Sequence, residues 1–210
     1  MTKQLKTIID TVRYAKKDIA SYGEIVIDLF IEDELLKNVP IVEHALKIRN
    51  ICDVYRANKV KRNYLSFIDA VSVMDSSEIE KFETMLFESG DLGVDASETL
   101  FDILIDGHKT VRAKIAGNLV AALAKGKLDL DSYYNLLLIA HSGSIPALLS
   151  IPKTVESMAV FGEWDKKFGI PEEPLLISLG IAKKLGSILM LSSLGKQFYK
   201  YGYNIPTTNL

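Results

Sequence analysis

No charged residue occurs between Ser132 and Pro152, and that uncharged run constrains the fold of this chain more than any other stretch. Its length is close to what a helix needs to cross a bilayer. Its composition points elsewhere, because Asn135, His141, Ser142, Gly143, Ser144, Pro146 and Pro152 interrupt it. A break exposed to lipid leaves backbone groups without partners. Two buried core helices are the expectation. Just before the run, Val111, Ile115, Leu119 and Ala122 recur at three or four residues, widened by Ala116, Val120 and Leu123, with Arg112, Lys114 and Asn118 opposite. This spacing predicts a helix with one buried face. It should stop at Lys125, since Gly126 can take the left-handed conformation that ends many helices. Asp131 or Ser132 is the expected cap of a second helix, Tyr133 to Ala140, whose Leu136 to Ile139 leave no polar face and mark it as central. Ser144 should open a third short element at Ile145, which Pro152 closes.

The remaining composition is that of an ordinary folded chain: 210 residues, 48% hydrophobic and 25% charged. One or two domains are expected. Lys+Arg 25 against Asp+Glu 27 gives a net charge of -2, so no global field draws the chain to nucleic acid or anionic lipid. The single cysteine, Cys52, excludes an internal disulfide, and the polar start Met1 to Lys6 lacks the apolar core of a signal peptide. A cytoplasmic location is the expectation, with Cys52 a buried thiol rather than a nucleophile.

From the beginning, Leu5, Ile8, Ile9, Val12, Ala15 and Ile19 form an amphipathic stripe, backed by Lys3, Lys6, Arg13, Lys16 and Lys17. Such a helix can lie on a membrane surface, but the preferred reading is a solvated face on a packed helix. A second helix, Glu24 to Lys37, ends at the step from Val39 to Pro40. The pattern then stays helical to about Met74 and carries Lys47, Arg49, Arg56, Lys59, Lys61 and Arg62 against Asp53 alone, with Tyr55 and Tyr64 nearby. These six cations are the best phosphate-binding candidates in the chain. The next part reverses the sign, with carboxylates from Asp75 to Asp106 facing only Lys81. Mutual neutralisation of the two blocks is preferred to a nucleic-acid groove. Within the acidic block, Ser77 with Glu80 and Asp95 with Glu98 fit capping-box spacing. Helices are therefore expected over 78–89 and 96–105, joined by a turn at Asp91 to Gly93. No segment has the ligand spacing of an EF-hand loop, so no metal site is assigned.

After Pro152, Thr154 is the expected cap of a helix to about Phe168, and Pro171 opens another that runs to Gly180. Ile181 to Leu185 and Ile188 to Leu191 flank Gly186 and Ser187, a pair suited to a type II′ hairpin turn. Ser192 or Ser193 then caps a closing helix, Leu194 to Tyr201, and the tail from Gly202 onward should fray. Leu179, Gly180 and Ile181, followed by Leu191, Ser192, Ser193, Leu194 and Gly195 before Phe198, resemble the end of a winged-helix domain, where a Leu-Gly-Leu turn leads to the wing and a Leu-Thr-x-Leu-Gly run opens the last helix. The order of parts, with the Val-Pro-Ile-Val turn at Val39 to Val42, also resembles a group of uncharacterised, mostly helical bacterial proteins that brings no activity to carry over. Glu172 and Glu173 in the helix before the hairpin, and a wing reduced to a tight turn beside Lys183 and Lys184, depart from a DNA-reading winged helix and favour protein contacts.

Catalytic signals are absent from the pattern. His44, His108 and His141 have no metal spacing, Ser142 and Ser144 lack a nucleophile elbow, and no glycine-rich phosphate loop occurs. The expectation is a mostly α multi-helix bundle over residues 1–152, a small winged-helix-like helix–hairpin–helix unit over 153–204 packed on it, and a tail at 205–210. The expected role is non-enzymatic: a bacterial interaction or regulatory protein that binds a protein partner or itself, with no cofactor, through apolar surface left by the N-terminal helices. One alternative is a nucleic-acid-binding regulator using the basic 47–62 helix and the winged-helix-like end. Another is a peripheral membrane protein attached through residues 1–42, with phage or mobile-element conflict among the roles open to it.

Overall fold

The computed structural model describes residues 6–13, 54–106, 109–159 and 170–205. Residues 6–13 are helical. The elements that follow are α1 (Val54–Val71), α2 (Ser76–Glu88), α3 (Gly90–Asp106), α4 (Thr110–Ala124), α5 (Leu130–Ser142), α6 (Ile145–Ala159), α7 (Glu173–Ser178), β1 (Ala182–Leu185), β2 (Ile188–Leu191), α8 (Ser193–Gln197) and a π-helical turn, Phe198–Gly202. The fold is a multi-helix bundle with one antiparallel hairpin.

The centre is α4, which packs against α1, α2, α3, α5, α6 and the π turn. The expected stripe is buried from Ile115 onward and Arg112, Lys114 and Asn118 are not, but burial extends beyond it: Ala113, Gly117, Ala121 and Ala124 join it, so that every residue from Leu119 to Ala124 is buried. Small residues make this possible. A β-carbon on Gly117 would lie 2.7 Å from both the Ala70 Cβ and the Phe67 carbonyl oxygen, so α1 lies directly on the α4 backbone. The helix ends as expected. Gly126 has φ +66, and the N–H groups of Lys125, Gly126 and Lys127 donate to the carbonyls of Ala121, Leu123 and Ala122.

The expected central helix, α5, lies to one side instead. It packs on α3 and α4, and leaves Asp131, Asn135 and Leu138 exposed. An unbroken leucine run specifies burial, not which neighbour supplies it. Its cap is Asp129 rather than Asp131 or Ser132: Asp129 Oδ1 accepts from Ser132 N at 2.7 Å. That hydrogen bond to the ionised carboxylate holds the Asp129 pKa below its ordinary value.

Pro152 does not close the third element. Helix α6 runs through it to Ala159, so Thr154 is a buried interior residue and not a cap, and the expected boundary between residues 152 and 153 falls inside one helix. Proline at 152 has no N–H to give the carbonyl four residues earlier. That carbonyl belongs to Leu148, and the Tyr203 hydroxyl donates to it instead. Ser144 does open the helix, its Oγ accepting from Ala147 N at 3.3 Å.

The acidic helices are also shifted in register. The capping box is Asp75 with Glu78, not Ser77 with Glu80: Asp75 Oδ1 accepts from Glu78 N, and Glu78 Oε2 from Asp75 N, each at 2.9 Å. Asp95 starts nothing, because α3 is already helical from Gly90. The expected turn at Asp91 to Gly93 is its first turn. Gly93 is there for proximity: a β-carbon would fall 2.0 Å from the Leu86 carbonyl oxygen of α2.

In the C-terminal part, Ala182 pairs with Leu191 and Leu185 with Ile188. Gly186 has φ +60, and no non-glycine other than Asn204 has positive φ among the described residues; a positive φ at the first turn position alone fits the type II′ turn. Ser192 caps α8 by accepting from Gly195 N at 2.9 Å. The closing helix widens to the π turn at Phe198. Gly202 to Ile205 do not fray. Asn118 Nδ2 donates to the Gly202 carbonyl at 2.8 Å, and Tyr203 and Ile205 pack on the core. Pro206 onward lies outside the described residues.

Candidate functional site

The basic helix is organised by its buried stripe. Val60, Tyr64, Phe67, Ile68 and Val71 recur at three or four residues and are buried against α4. This decides where the candidate cations go. Lys61 lies three residues before Tyr64 and seven before Ile68, on the edge of the same stripe, and is buried, with 8% exposure. Lys59 is half-buried and Arg62 is exposed. Arg56 lies in the first turn of α1, while Lys47 and Arg49 fall outside the described residues. Tyr64, at 2% exposure, cannot stack on a base. The exposed line that begins at Arg62 continues to Asp69, which pairs with Lys114 of α4 at 3.4 Å. Among the described side chains of α1, from Asn58 to Val71, the cations therefore form no continuous exposed face.

The basic and acidic helices do meet. α1 packs on α3, and Asn63 Nδ2, buried between them, donates to the Leu104 carbonyl at 3.1 Å. Residues 6–13 are held in the same body, with Ile8, Ile9, Thr11 and Val12 buried. There Arg13 Nη2 bonds the largely buried Glu83 of α2 at 2.5 Å. The described part of the N-terminal helix thus offers no free apolar surface.

The hairpin carries the other expected contact surface. Lys184 Nζ pairs with Glu173 Oε1 of α7 at 2.5 Å, which neutralises one of the two hairpin lysines. Gly195 lets α8 lie on the preceding turn, since a β-carbon there would meet the Ile181 carbonyl oxygen at 2.1 Å. Ser192 Oγ also donates to the Gly180 carbonyl at 2.6 Å. The Leu-Gly-Ile and Leu-Ser-Ser-Leu-Gly residues therefore form one backbone-to-backbone joint. Near it lie apolar side chains whose exposure the sequence pattern did not signal: Leu175 and Ile177 of α7, each 38% exposed, and Leu185 beside the hairpin turn, 69% exposed. Leu185 could have been found from its place immediately before the turn glycine, where a strand residue has least cover.

The residues weighed for catalysis have structural partners or open surroundings. His141 is exposed, Ser142 Oγ donates to Leu138 O at 2.7 Å, and Ser144 is the α6 cap. His44 and His108 lie outside the described residues. Among the described residues no group of three His, Cys, Asp or Glu side chains is placed to hold a metal ion. Nor, among the described residues, is any single helix long and apolar enough to cross a membrane. α5 and the start of α6 pass that test only as a pair bent by 118°.

The class these features define is a helical bundle carrying a helix–hairpin–helix joint. No protein-family model, curated protein or solved structure matches the chain.

Proposed function

We propose that the chain is a non-enzymatic interaction protein, bacterial and cytoplasmic by the sequence reading, that acts by self-association through its winged-helix-like end. The observation that carries this reading is Leu185, 69% exposed at the end of the hairpin, with Leu175 and Ile177 of α7 each 38% exposed and Lys184 already paired with Glu173. A surface meant for phosphates collects cations; here the pairing of Lys184 leaves Lys183 alone in that role, beside exposed Leu185. The two-stranded sheet supports the same reading, because a lone hairpin has unpaired backbone groups on its edges and can extend by pairing with a second copy.

The test is the mass of the full chain in solution by light scattering, across a concentration series, with and without duplex DNA and at low and moderate salt. A concentration-dependent oligomer, indifferent to DNA and salt and lost in Leu185→Lys, is the expected result. A monomer throughout, or a mass that rises only with DNA and falls back as salt increases, overturns it. The second outcome would move attention to Arg56, Lys59 and Arg62 on α1.

A further inference from the structure

At the C-terminal end of α4 a cleft opens between α1, α4 and the residues around the π turn. Ala70 and Val73 form one wall, Lys125 and Lys127 another, and Tyr201 and Asn204 a third. It encloses about 50 Å³, space for one small polar group and far below the several hundred Å³ of a pocket for a whole metabolite. No carboxylate lines it. Both lysines are exposed at the mouth, and neither has a carboxylate partner among the described residues.

Two further observations suit an anion here. The end of a helix ordinarily repels negative charge through its bare carbonyls. At α4 the carbonyls of Ala121, Ala122 and Leu123 are already engaged by the N–H groups of Lys125, Lys127 and Gly126, which blunts that repulsion. Asn204 holds φ at +52, the one non-glycine with positive φ among the described residues. Glycine would adopt that conformation without strain. Asparagine adds an amide that can donate at the cleft rim, beside Asn118, whose own Nδ2 bonds the Gly202 carbonyl at 2.8 Å.

We infer that this cleft binds a single oxyanion, a phosphate group free or carried on a larger molecule, held by Lys125 and Lys127 with the Asn204 amide closing over it. Only the phosphate enters; anything attached to it lies outside, along Val73 and Tyr201.

The experiment is a titration of the isotopically labelled full chain with inorganic phosphate, followed by amide chemical shifts at ionic strength held constant with sodium chloride. Saturable shifts at Asn118, Lys127 and Asn204 are expected. The Lys125→Gln/Lys127→Gln double variant should weaken the apparent affinity at least tenfold. Asn204→Gly, which keeps the turn, should weaken it a few-fold. Glycerol phosphate distinguishes the sources: tighter binding than inorganic phosphate means the group arrives on a larger molecule, and equal binding means it arrives free. Shifts no larger at the cleft than at Lys183 and Lys184, or unchanged in the double variant, overturn the assignment.

Discussion

The Leu148 carbonyl shows how one residue's defect is repaired by another far along the chain. Pro152 withdraws the donor, and Tyr203 replaces it. Burial also pushes the Tyr203 hydroxyl above its ordinary pKa of 10.0, so it stays a donor across the physiological range. Tyr203→Phe should lower stability by about 1–3 kcal/mol, the usual effect of leaving a buried acceptor unpaired. In a Pro152→Ala background the new N–H can reach Leu148, so the same change should have a smaller effect. Urea midpoints of the four proteins of that cycle give the coupling directly, and an equal loss in both backgrounds would refute the repair. Asp129 makes a pH prediction. Its pKa is lowered on folding, so its contribution is present above the unfolded value near 3.8 and is lost as pH falls through the lower folded value. Asn caps as well as Asp but does not titrate, so Asp129→Asn should match the parent at pH 7 and lose less stability in acid below about pH 4. Acid unfolding followed by circular dichroism compares the two. At this scale the candidate site was partly legible. Lys61 is aligned with Tyr64 and Ile68 by helical spacing alone, so its burial could be read from sequence. The Asp69–Lys114 pair could not, because it depends on where α4 lies.

At the scale of elements, glycine turns were easier to read than the caps of the acidic helices. Gly126 and the Gly186–Ser187 turn behave as local chemistry requires, since a left-handed glycine needs no tertiary context. The starts of α2 and α3 were misplaced because a block crowded with Asp, Glu and Ser offers several pairs at capping-box spacing, and only packing selects one. Gly93 illustrates the difference between propensity and packing. By helix propensity alone, Gly93→Ala should stabilise α3 by up to about 1 kcal/mol. The 2.0 Å approach to the Leu86 carbonyl oxygen reverses the sign, and a loss of about 1–3 kcal/mol is expected as α3 is forced off α2. Thermal or urea unfolding decides between the two signs. The run of α6 through Pro152 was illegible for a related reason: the compensating hydroxyl is 55 residues from the carbonyl it serves, beyond any local window.

For the molecule as a whole, α4 is the common neighbour through which the other helices are joined. Leu119 is fully buried in it, and Leu119→Ala should lower stability by about 2–5 kcal/mol. Asn118 and Ile115 also bind α4 to Gly202, so the hairpin should share that loss. Hydrogen exchange at the Lys183 and Met190 amides, which face each other across the hairpin, compared with circular dichroism of the bundle, should show equal decreases; a hairpin that keeps its protection would mean that it opens independently. The Tyr203 bond has one more consequence, which concerns synthesis. A ribosome delivers Leu148 and Pro152 some fifty residues before Tyr203, so α6 emerges with a carbonyl that nothing yet available can satisfy. Until the last turn appears, water must occupy that position, and closure of the helix against α4 is weaker by about the same 1–3 kcal/mol that the Tyr203 bond supplies. A nascent chain halted before Tyr203 should therefore hold α6 on its core less firmly than the finished protein does.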